Sequence, residues 1–458
     1  MKETSGSLEV ESFVDDRRMS RTQLLVVVLC ALIAIIDGFD VQIMGFVAPT
    51  LIHDLGVSRG ALGPVFSAGI VGMMAGSLMC GLLADRIGRR KVLIGCMVWA
   101  AIWSFATAFV NSIEALLALR FLTGIGLGGA MPNATALTSE YTPRRLRATC
   151  VMLMYGGFSI GAAAGGGIVA ALLTNFTWRA VFLLGGAMPV VLAIGLICAL
   201  PESIRFMVVR GWAREKVIAG LKRIDPLFIV SDGTRFSVAE EHVLAQPVKQ
   251  LFTHGRTRAT LLTWLMFGMG YLDLYFLNSW LPTIIHDSGV DLHSAVLVTA
   301  LFQLGGTIGT LILGRLIDHH PPAAVLGCAF LVGSVSVFVI GGVGASFALL
   351  SATVFCAGLC IVGGLIGLTA VTAELYPTGI RSTGIGWAIG IGRIGGISGP
   401  VLGGMLLSLS WQAEEIFRSA AVPALITAIA ACGLAATNRR KATENDEAPA
   451  IGQNAHGN

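Results

Sequence analysis

The feature that most constrains this chain is a series of twelve apolar runs, each long enough to cross a lipid bilayer as a helix. A spanning helix needs about 20 mostly apolar residues, and every run reaches that length. Such a chain cannot fold as a soluble globular domain, because so much apolar surface would stay in contact with water. We predict membrane spans at residues 23–47, 60–83, 91–110, 113–138, 147–173, 177–199, 258–283, 292–317, 322–343, 345–370, 381–408 and 416–437.

The composition supports a membrane protein and excludes several other classes. Charged residues make up 13% of the 458 residues, whereas soluble domains contain roughly 25%. This deficit argues against a disordered protein, a nucleic-acid binder with a basic face and an ordinary cytosolic enzyme. The nine cysteines lie in or at the ends of apolar runs and show no metal-ligand spacing. We therefore expect neither disulfides nor a metal site.

The distribution of Lys and Arg predicts the orientation in the membrane. Of 31 such residues, we place Arg59, Arg179 and Arg418 on one side and Arg120 and Arg393 within helices, which leaves 26 on the side of both termini. The positive-inside rule makes that side cytoplasmic. The first 20 or so residues also lack the basic region and cleavage site of a signal peptide. We expect them to form a retained cytoplasmic tail.

Three short motifs occur twice, at nearly the same separation. The segment PTLIHD at 49–54 recurs as PTIIHD at 282–287, and GLLAD at 81–85 recurs as GRLID at 314–318. A third pattern, Glu-x-x-Pro-x-x-x-Arg, begins at Glu140 and again at Glu374. We infer two six-helix halves of common ancestry. The expected divisions are an N-terminal tail at 1–22, a first bundle at 23–200, a central cytoplasmic loop at 201–256, a second bundle at 257–437 and a C-terminal tail at 438–458.

Three motifs resemble those of one transporter family. The segment GLLADRIGRRK at 81–91 is similar to the signature loop of the major facilitator superfamily. Within that superfamily, DGFD at 37–40 resembles a hallmark of the aromatic acid:proton symporters, and the stretch at 120–133 resembles their fourth helix. The resemblance implies an all-α membrane protein with twelve transmembrane helices in two pseudo-symmetric six-helix bundles. It also implies a bacterial inner membrane location.

Two carboxyl groups in the first predicted helix are candidates for proton coupling. Asp37 and Asp40 lie near the middle of an otherwise apolar run, where a charge is unfavourable by about 2.5 kcal/mol or more. A carboxyl whose burial and neighbouring cations change during a cycle can bind and release a proton. The repeat maps Asp40 onto Asp273, which we expect to be a further proton-coupling carboxyl in the second half. The alternative for these acids is a local bond to the helix backbone.

Two arginines within predicted helices are candidates to bind a substrate carboxylate, since guanidinium groups hold carboxylates in a bidentate fork. Arg393 lies in the glycine-rich segment GIGRIGG and is our first choice, and Arg120 is the second. The repeat maps Arg120 onto Val354, so the fold itself does not require an arginine there. Arg120 could instead pair with Asp37 or Asp40, or extend toward the membrane surface. Aromatic side chains that could stack on a substrate ring are Phe39, Phe158, Tyr271, Tyr275, Phe276, Phe302 and Trp387.

A second group of residues is predicted to control opening on the cytoplasmic side. The turn between the second and third helices, at residues 81–91, combines glycines, an aspartate and a run of basic residues. We interpret it as a latch that closes the cytoplasmic side, and its copy in the second half lacks the basic residues. Glutamate and arginine also recur at cytoplasmic helix ends in both halves, as expected for gating charges. The predicted gating residues are Gly81, Asp85, Gly88, Arg89, Arg90, Glu140, Arg147, Asp318, Glu374 and Arg381.

These patterns predict a proton-coupled importer of a small aromatic carboxylate, such as a hydroxybenzoate. An enzyme is disfavoured because the sequence shows no nucleophile–base pair and no metal-spaced cluster. We expect no organic cofactor and no nucleic-acid partner; the expected partners are the acid, protons and the lipid bilayer, with the chain acting as a monomer. The alternatives are a symporter of another organic acid, a drug:proton antiporter, or a transport-fold sensor of aromatic acids.

Overall fold

The computed structural model describes residues 7–229, 234–238, 247–253, 255–344, 346–376 and 378–447. Within these residues, twelve helices are long and apolar enough to cross a membrane, which confirms the predicted number and order of spans. These long helices are α2 (Arg21–Leu55), α3 (Arg59–Ile87), α4 (Arg89–Thr107), α5 (Ile113–Tyr141), α6 (Arg144–Asn175), α7 (Trp178–Ala199), α11 (Thr257–Asp287), α12 (Leu292–His319), α13 (Pro322–Ile340), α14 (Phe347–Leu375), α15 (Thr378–Ser408) and α16 (Ala413–Glu447).

Six shorter elements complete the described chain. Two three-residue strands pair in parallel and form a small sheet outside the predicted spans. The short helices occur before the first span and between the sixth and seventh spans. The strands are β1 (Ser7–Glu9) and β2 (Arg235–Ser237), and the helices are α1 (Val10–Asp15), α8 (Ile204–Val209), α9 (Arg214–Ile224) and α10 (Pro247–Gln250).

The chain divides into two compact units, Met1–Val243 and Leu244–Asn458. In the first unit α2 packs against α6, α3 against α5, and α4 against α7. In the second unit α11 packs against α15, α12 against α14, and α13 against α16. The two sets of helix pairs follow in the same chain order. This equivalence confirms the two pseudo-symmetric six-helix bundles expected from the sequence repeat.

Glycines at equivalent positions bring the paired helices into backbone contact. A Cβ added at Gly161 of α6 would overlap the carbonyl oxygen of Ile35 in α2. At the equivalent place in the second unit, a Cβ at Gly395 of α15 would overlap the carbonyl oxygen of Gly268 in α11. Small residues are typical of membrane helix interfaces because they permit this close approach. The repeat is therefore present in the packing as well as in the sequence.

Two glycines on α6 give a matched test of this packing. We expect Gly161→Ala to destabilise the protein by about 2 kcal/mol or more, because the rigid backbone of α2 cannot move aside without separating the helices. At Gly156 no atom lies within 4 Å of an added Cβ. Gly156→Ala should therefore stabilise the helix by up to about 1 kcal/mol. Unfolding curves of both variants in detergent check the opposite signs; equal effects would contradict the packing.

The N-terminal segment predicted as a tail is folded against the first unit. Phe13 of α1 is buried and lies edge-on to Phe228, with ring centroids 4.6 Å apart. The guanidinium of Arg17 donates to Asp225 at 2.8 Å, and this hydrogen bond lowers the pKa of that carboxyl. Arg17 also lies over the ring of Phe13, 3.6 Å from its centroid. These contacts attach the segment to the polypeptide that follows α9.

Candidate functional site

A buried ion pair lies inside the first bundle, between α2 and α5. Nη1 of Arg120 is 3.3 Å from each carboxylate oxygen of Asp40. The Arg120 side chain is 4% exposed and that of Asp40 is 14% exposed. Nη2 of Arg120 donates to the hydroxyl of Thr123 at 3.3 Å, and that hydroxyl donates to the carbonyl oxygen of Leu119. The structure thus selects Asp40 as the partner of Arg120.

The arginine of this pair also has an aromatic neighbour. Its guanidinium carbon lies 5.1 Å from the ring centroid of Phe182, which comes from α7. A cation over an aromatic face is attracted electrostatically, and more strongly where water is excluded. Carboxylate, hydroxyl and ring therefore hold the Arg120 guanidinium from three sides. In the low-dielectric interior of a bundle, such a charge is tolerated only with compensation of this kind.

Asp37 lies one helical turn before Asp40, and it is buried as well. The glycine between them sets the depth at which α2 sits against α6, because a Cβ at Gly38 would overlap the carbonyl oxygen of Phe158. Phe39, the remaining member of the DGFD motif, is buried and contacts the glycine face of α6 at Gly165. The glycine and the phenylalanine of the motif thus pack α2 against α6, and the two aspartates place their carboxyl groups within the protein.

In the second bundle, Arg393 lies on α15 beside an aromatic column of α11. The column consists of Phe267, Tyr271 and Tyr275, whose successive ring centroids are 6.1 Å apart with the rings nearly parallel. Tyr271 packs against Gly392, and Tyr275 packs against Gly396. Arg393 lies between these two glycines in the sequence, and its side chain is half-buried. A cation and two partly exposed rings thus occur together on one helix pair.

The other predicted ring-stacking residues occupy different surroundings. Phe276 and Phe302 are buried in the second unit, whereas Trp387 is 45% exposed and stacks on Trp264, with centroids 5.9 Å apart. Phe158 is half-buried at the α2–α6 contact. Asp273, the predicted counterpart of Asp40, lies midway along α11 and is buried. Arg120 and Arg393 belong to different units.

The predicted latch residues of the first unit form a connected network at the α3–α4 turn. Arg89 pairs with Glu140 at 2.9 Å, and Ser203 donates its hydroxyl hydrogen to the same carboxylate at 2.5 Å. The backbone N–H of Arg90 donates to Glu202 at 3.1 Å. Gly88 has φ +100°, and a Cβ there would overlap the Glu202 carboxylate. The positive φ therefore favours glycine at this position, and a Cβ there would also displace the Glu202 carboxylate from its hydrogen bond with Arg90.

Three other predicted gating residues of the first unit are placed differently. The backbone carbonyl of Asp85 accepts two hydrogen bonds from Arg210, at 3.1 and 2.6 Å, while the Asp85 side chain is exposed. Gly81 has open space around it, since no atom lies within 4 Å of an added Cβ. Arg147 is half-buried and forms no ion pair with any residue that the structure describes. Glu140 thus pairs with Arg89 of the turn and not with Arg147.

The corresponding residues of the second unit are less connected. Asp318 and Arg381 are exposed, and neither forms an ion pair within the described ranges. The side chain of Glu374 lies outside the described residues. Nδ1 of His319 is 3.0 Å from the carbonyl oxygen of Arg315, at the end of α12. Among the residues whose side chains are described, the second unit therefore shows no counterpart of the ion-pair network of the first unit.

Comparison with known proteins places these features in a family. A model described as the Major Facilitator Superfamily matches residues 30–271 and 263–456. The 4-hydroxybenzoate transporter PcaK of Pseudomonas putida is 40% identical over 92% of this chain and 95% of its own length. The chain belongs to the major facilitator superfamily. The gallate transporter of Pseudomonas putida is 39% identical, over 92% of this chain and 94% of its own length.

A more distant relative agrees with this family, and a solved structure agrees with the fold. The 3-(3-hydroxy-phenyl)propionate transporter of Escherichia coli strain K12 is 34% identical over 89% of this chain and 93% of its own length. The crystal structure of the nucleoside transporter NupG covers 91% of this chain and 99% of that protein, with a TM-score of 0.69 and 14% identity. At that identity the likeness concerns the fold alone. This member of the superfamily is a multi-pass membrane transporter related to aromatic acid transporters, and it is not an enzyme.

Several residues around the site were not found from the sequence. Thr123 and Phe182 both contact Arg120, yet neither residue type is unusual in a membrane helix. Gln303 and Asn278 form a buried hydrogen bond of 3.1 Å between α12 and α11. Amide side chains inside apolar runs are conspicuous in the sequence, so this pair could have been selected by the same argument as the aspartates.

Proposed function

We propose that this transporter imports a small aromatic carboxylate, similar to hydroxybenzoate, together with protons by alternating access. The named activities of the relatives support the substrate class: they are transporters of 4-hydroxybenzoate, gallate and 3-(3-hydroxy-phenyl)propionate. The excess of Lys and Arg on the side of both termini supports cytoplasmic termini and a bacterial inner membrane location. The protein acts as a monomer in the lipid bilayer and uses no cofactor.

The Asp40–Arg120 pair is the observation that carries proton coupling. The pair is nearly enclosed by protein, so a change in the charge of one member must be balanced locally. A proton on Asp40 removes the attraction and leaves Arg120 with a positive charge that lacks its carboxylate. A substrate carboxylate that binds Arg120, the second candidate anchor, restores that balance. One proton and one anion together therefore preserve the net charge of the buried site, whereas either alone does not. Asp37, one turn away, is the alternative carboxyl for this same proton.

Arg393 is the proposed anchor for the substrate carboxylate. A guanidinium fork binds a carboxylate through two charge-assisted hydrogen bonds. Tyr271 and Tyr275 lie on the helix packed against Arg393, and an aromatic ring can stack on their faces. This combination suits a planar ring acid better than an aliphatic one. Arg120 is the second candidate anchor, and it becomes available when Asp40 carries a proton.

The latch network is proposed to hold one state of the transport cycle. The carboxylate of Glu140 pairs with Arg89 and accepts a hydrogen bond from Ser203. The carboxylate of Glu202 accepts a hydrogen bond from the backbone N–H of Arg90 in the same turn. These bonds join α4 and α5 to the segment after α7. Three residues of the predicted gating set are exposed: Asp85, Asp318 and Arg381. We propose that they form contacts in another state of the cycle.

The proposal is tested by uptake of radiolabelled 4-hydroxybenzoate into proteoliposomes with an inward proton gradient. We expect accumulation that gallate and benzoate compete for, and that Asp40→Asn lowers by at least about tenfold. Glu114→Gln changes an exposed acid on α5 and serves as the control, with uptake unchanged. Accumulation under an outward gradient would indicate an antiporter. Binding without flux would indicate a sensor, and flux of aliphatic acids alone would overturn the substrate class.

A further inference from the structure

Asp273 is a buried carboxyl group that the proposed coupling at Asp40 does not use. It is the seventeenth of the 31 residues of α11, and it is 1% exposed. Neither of its carboxylate oxygens accepts or donates a hydrogen bond within the part of the chain that the structure describes. An isolated carboxylate in apolar surroundings is strongly unfavourable, whereas a protonated carboxylic acid is tolerated.

The direction of Asp273 on α11 follows from its neighbours. Tyr271 and Tyr275 contact α15, and Asp273 lies two residues, or about 200°, from each. It therefore faces away from these two rings and from the segment of α15 around Arg393, while Phe276, three residues later, contacts Gly403 further along α15. Gly270, one turn earlier, contacts Leu365 of α14. Asp273 thus points into the interior of the second bundle.

The helices packed against α11 bring no ion pair to Asp273 among the described residues. Arg393 and Arg381 belong to α15: Arg393 lies between the glycines that pack on Tyr271 and Tyr275, and Arg381 is exposed near the start of that helix. The ionisable side chains of the remaining packed helices lie near helix ends or are thiols. They are His293, Arg315, Asp318 and His319 of α12, Cys356, Cys360 and Glu374 of α14, and Glu414, Glu415, Arg418, Cys432, Arg439, Arg440, Lys441, Glu444, Asp446 and Glu447 of α16. The side chains of Glu374 and of the last six lie outside the described residues.

The internal repeat shows what has changed at this position. Asp40 and Asp273 are equivalent, and Arg120 corresponds to Val354, which is fully buried. Glycines confirm the register around the exchanged residue: a Cβ at Gly124 would overlap the carbonyl oxygen of Gly69, and one at Gly358 would overlap that of Phe302. The second bundle has thus kept the acid and replaced its cation by an apolar side chain.

We propose that Asp273 is a second proton-binding site, which is protonated in this conformation and releases its proton when water reaches it at another stage of the cycle. The inference rests on the proposed function, because it adds a second proton to the coupling at Asp40. Two protons with one monovalent carboxylate move one net positive charge inward. An interior-negative potential of about 100 mV then raises the equilibrium accumulation roughly 50-fold.

The protonated acid is tested first, without any substrate. Infrared spectra of the protein in lipid should show the carbonyl stretch of a buried carboxylic acid at neutral pH. That band should be absent in Asp273→Asn, absent in Val354→Arg, which restores a cation, and unchanged in Glu114→Gln. A spectrum in which Asp273→Asn removes only carboxylate absorption would overturn the proposal. Asn has nearly the shape of Asp, so this variant decides the result if Val354→Arg does not fold.

Coupling is tested next, by uptake of 4-hydroxybenzoate driven by membrane potential at equal pH on both sides. We expect Asp273→Asn to lose the potential response while keeping accumulation driven by a proton gradient. A variant with the full potential response, or a wild type with none, would overturn a role in coupling. If the wild type carried no aromatic acid at all, the proposed function would fail, and the infrared result would still decide whether Asp273 binds a proton.

Discussion

Arg120→Gln is expected to lower the free energy of unfolding by about 3–5 kcal/mol, because it leaves the carboxylate of Asp40 charged and without a partner inside the bundle. Asp40→Asn should be similarly destabilising, since it leaves the guanidinium of Arg120 uncompensated. The double variant removes both charges. It should therefore recover most of the lost stability, because a buried ion pair adds little beyond its apolar replacement.

This cycle separates stability from transport. Unfolding of the four proteins by a denaturing detergent gives the coupling energy of the pair, and uptake of 4-hydroxybenzoate gives the activity of each. We expect the double variant to be stable and inactive. Arg418→Gln is the matched control, because Arg418 pairs with Glu414 in an exposed position and should contribute less than about 1 kcal/mol. Additive losses in the Asp40 and Arg120 variants would contradict a buried, interacting pair.

Arg393→Gln is expected to weaken substrate binding roughly 10- to 100-fold, which corresponds to the loss of a charge-assisted hydrogen bond. Arg393→Lys keeps the charge but not the planar fork, and should restore only part of the affinity. Tyr275→Leu should cost a further factor of about 3 to 10 through the loss of ring stacking. The measurement is binding of 4-hydroxybenzoate to the purified protein by calorimetry.

The control for this series is Arg258→Gln, which changes an exposed arginine near the start of α11. It should bind substrate as the wild type does. Wild-type affinity in Arg393→Gln, combined with a large loss in Arg120→Gln, would move the anchor to Arg120. Unchanged binding in both variants would exclude a guanidinium anchor on either helix.

The sequence predicted the spans well because apolar length is a local property. It predicted their ends less well. The first run was expected to end at residue 47, but α2 continues through Pro49 to Leu55 and ends at Gly56, whose φ is +62°. The last was expected to end at residue 437, yet α16 continues through polar residues to Glu447. Hydropathy marks the membrane core, whereas caps and helix propensity decide where a helix ends.

The N-terminal segment was missed for a different reason. Its residues are polar on average, and nothing in them indicates a partner. The strand Ser7–Glu9 pairs with Arg235–Ser237, more than 220 residues later. Arg17 contacts Asp225 across a similar separation. Short strands and single ion pairs between distant segments have no periodic signal in one sequence, so only the folded chain shows them.

The sequence predicted the residues of the candidate site but not which aspartate pairs with the arginine. Asp37, Asp40 and Arg120 stand out because charged residues are rare in apolar helices. Which acid meets the arginine depends on the rotation and depth of α2, and the contact of Gly38 with Phe158 of α6 helps to set that depth. Asp273 was found from the repeat, but its lack of a hydrogen-bond partner required the positions of its neighbours.

The most direct test of the account is whether protons enter with the substrate. Proteoliposomes without any imposed gradient are placed in a weakly buffered medium, and 4-hydroxybenzoate is added while the external pH is recorded. We predict a transient rise in external pH that is absent in Asp40→Asn and in vesicles without protein. Entry of the labelled acid into wild-type vesicles with no change in external pH would contradict proton coupling.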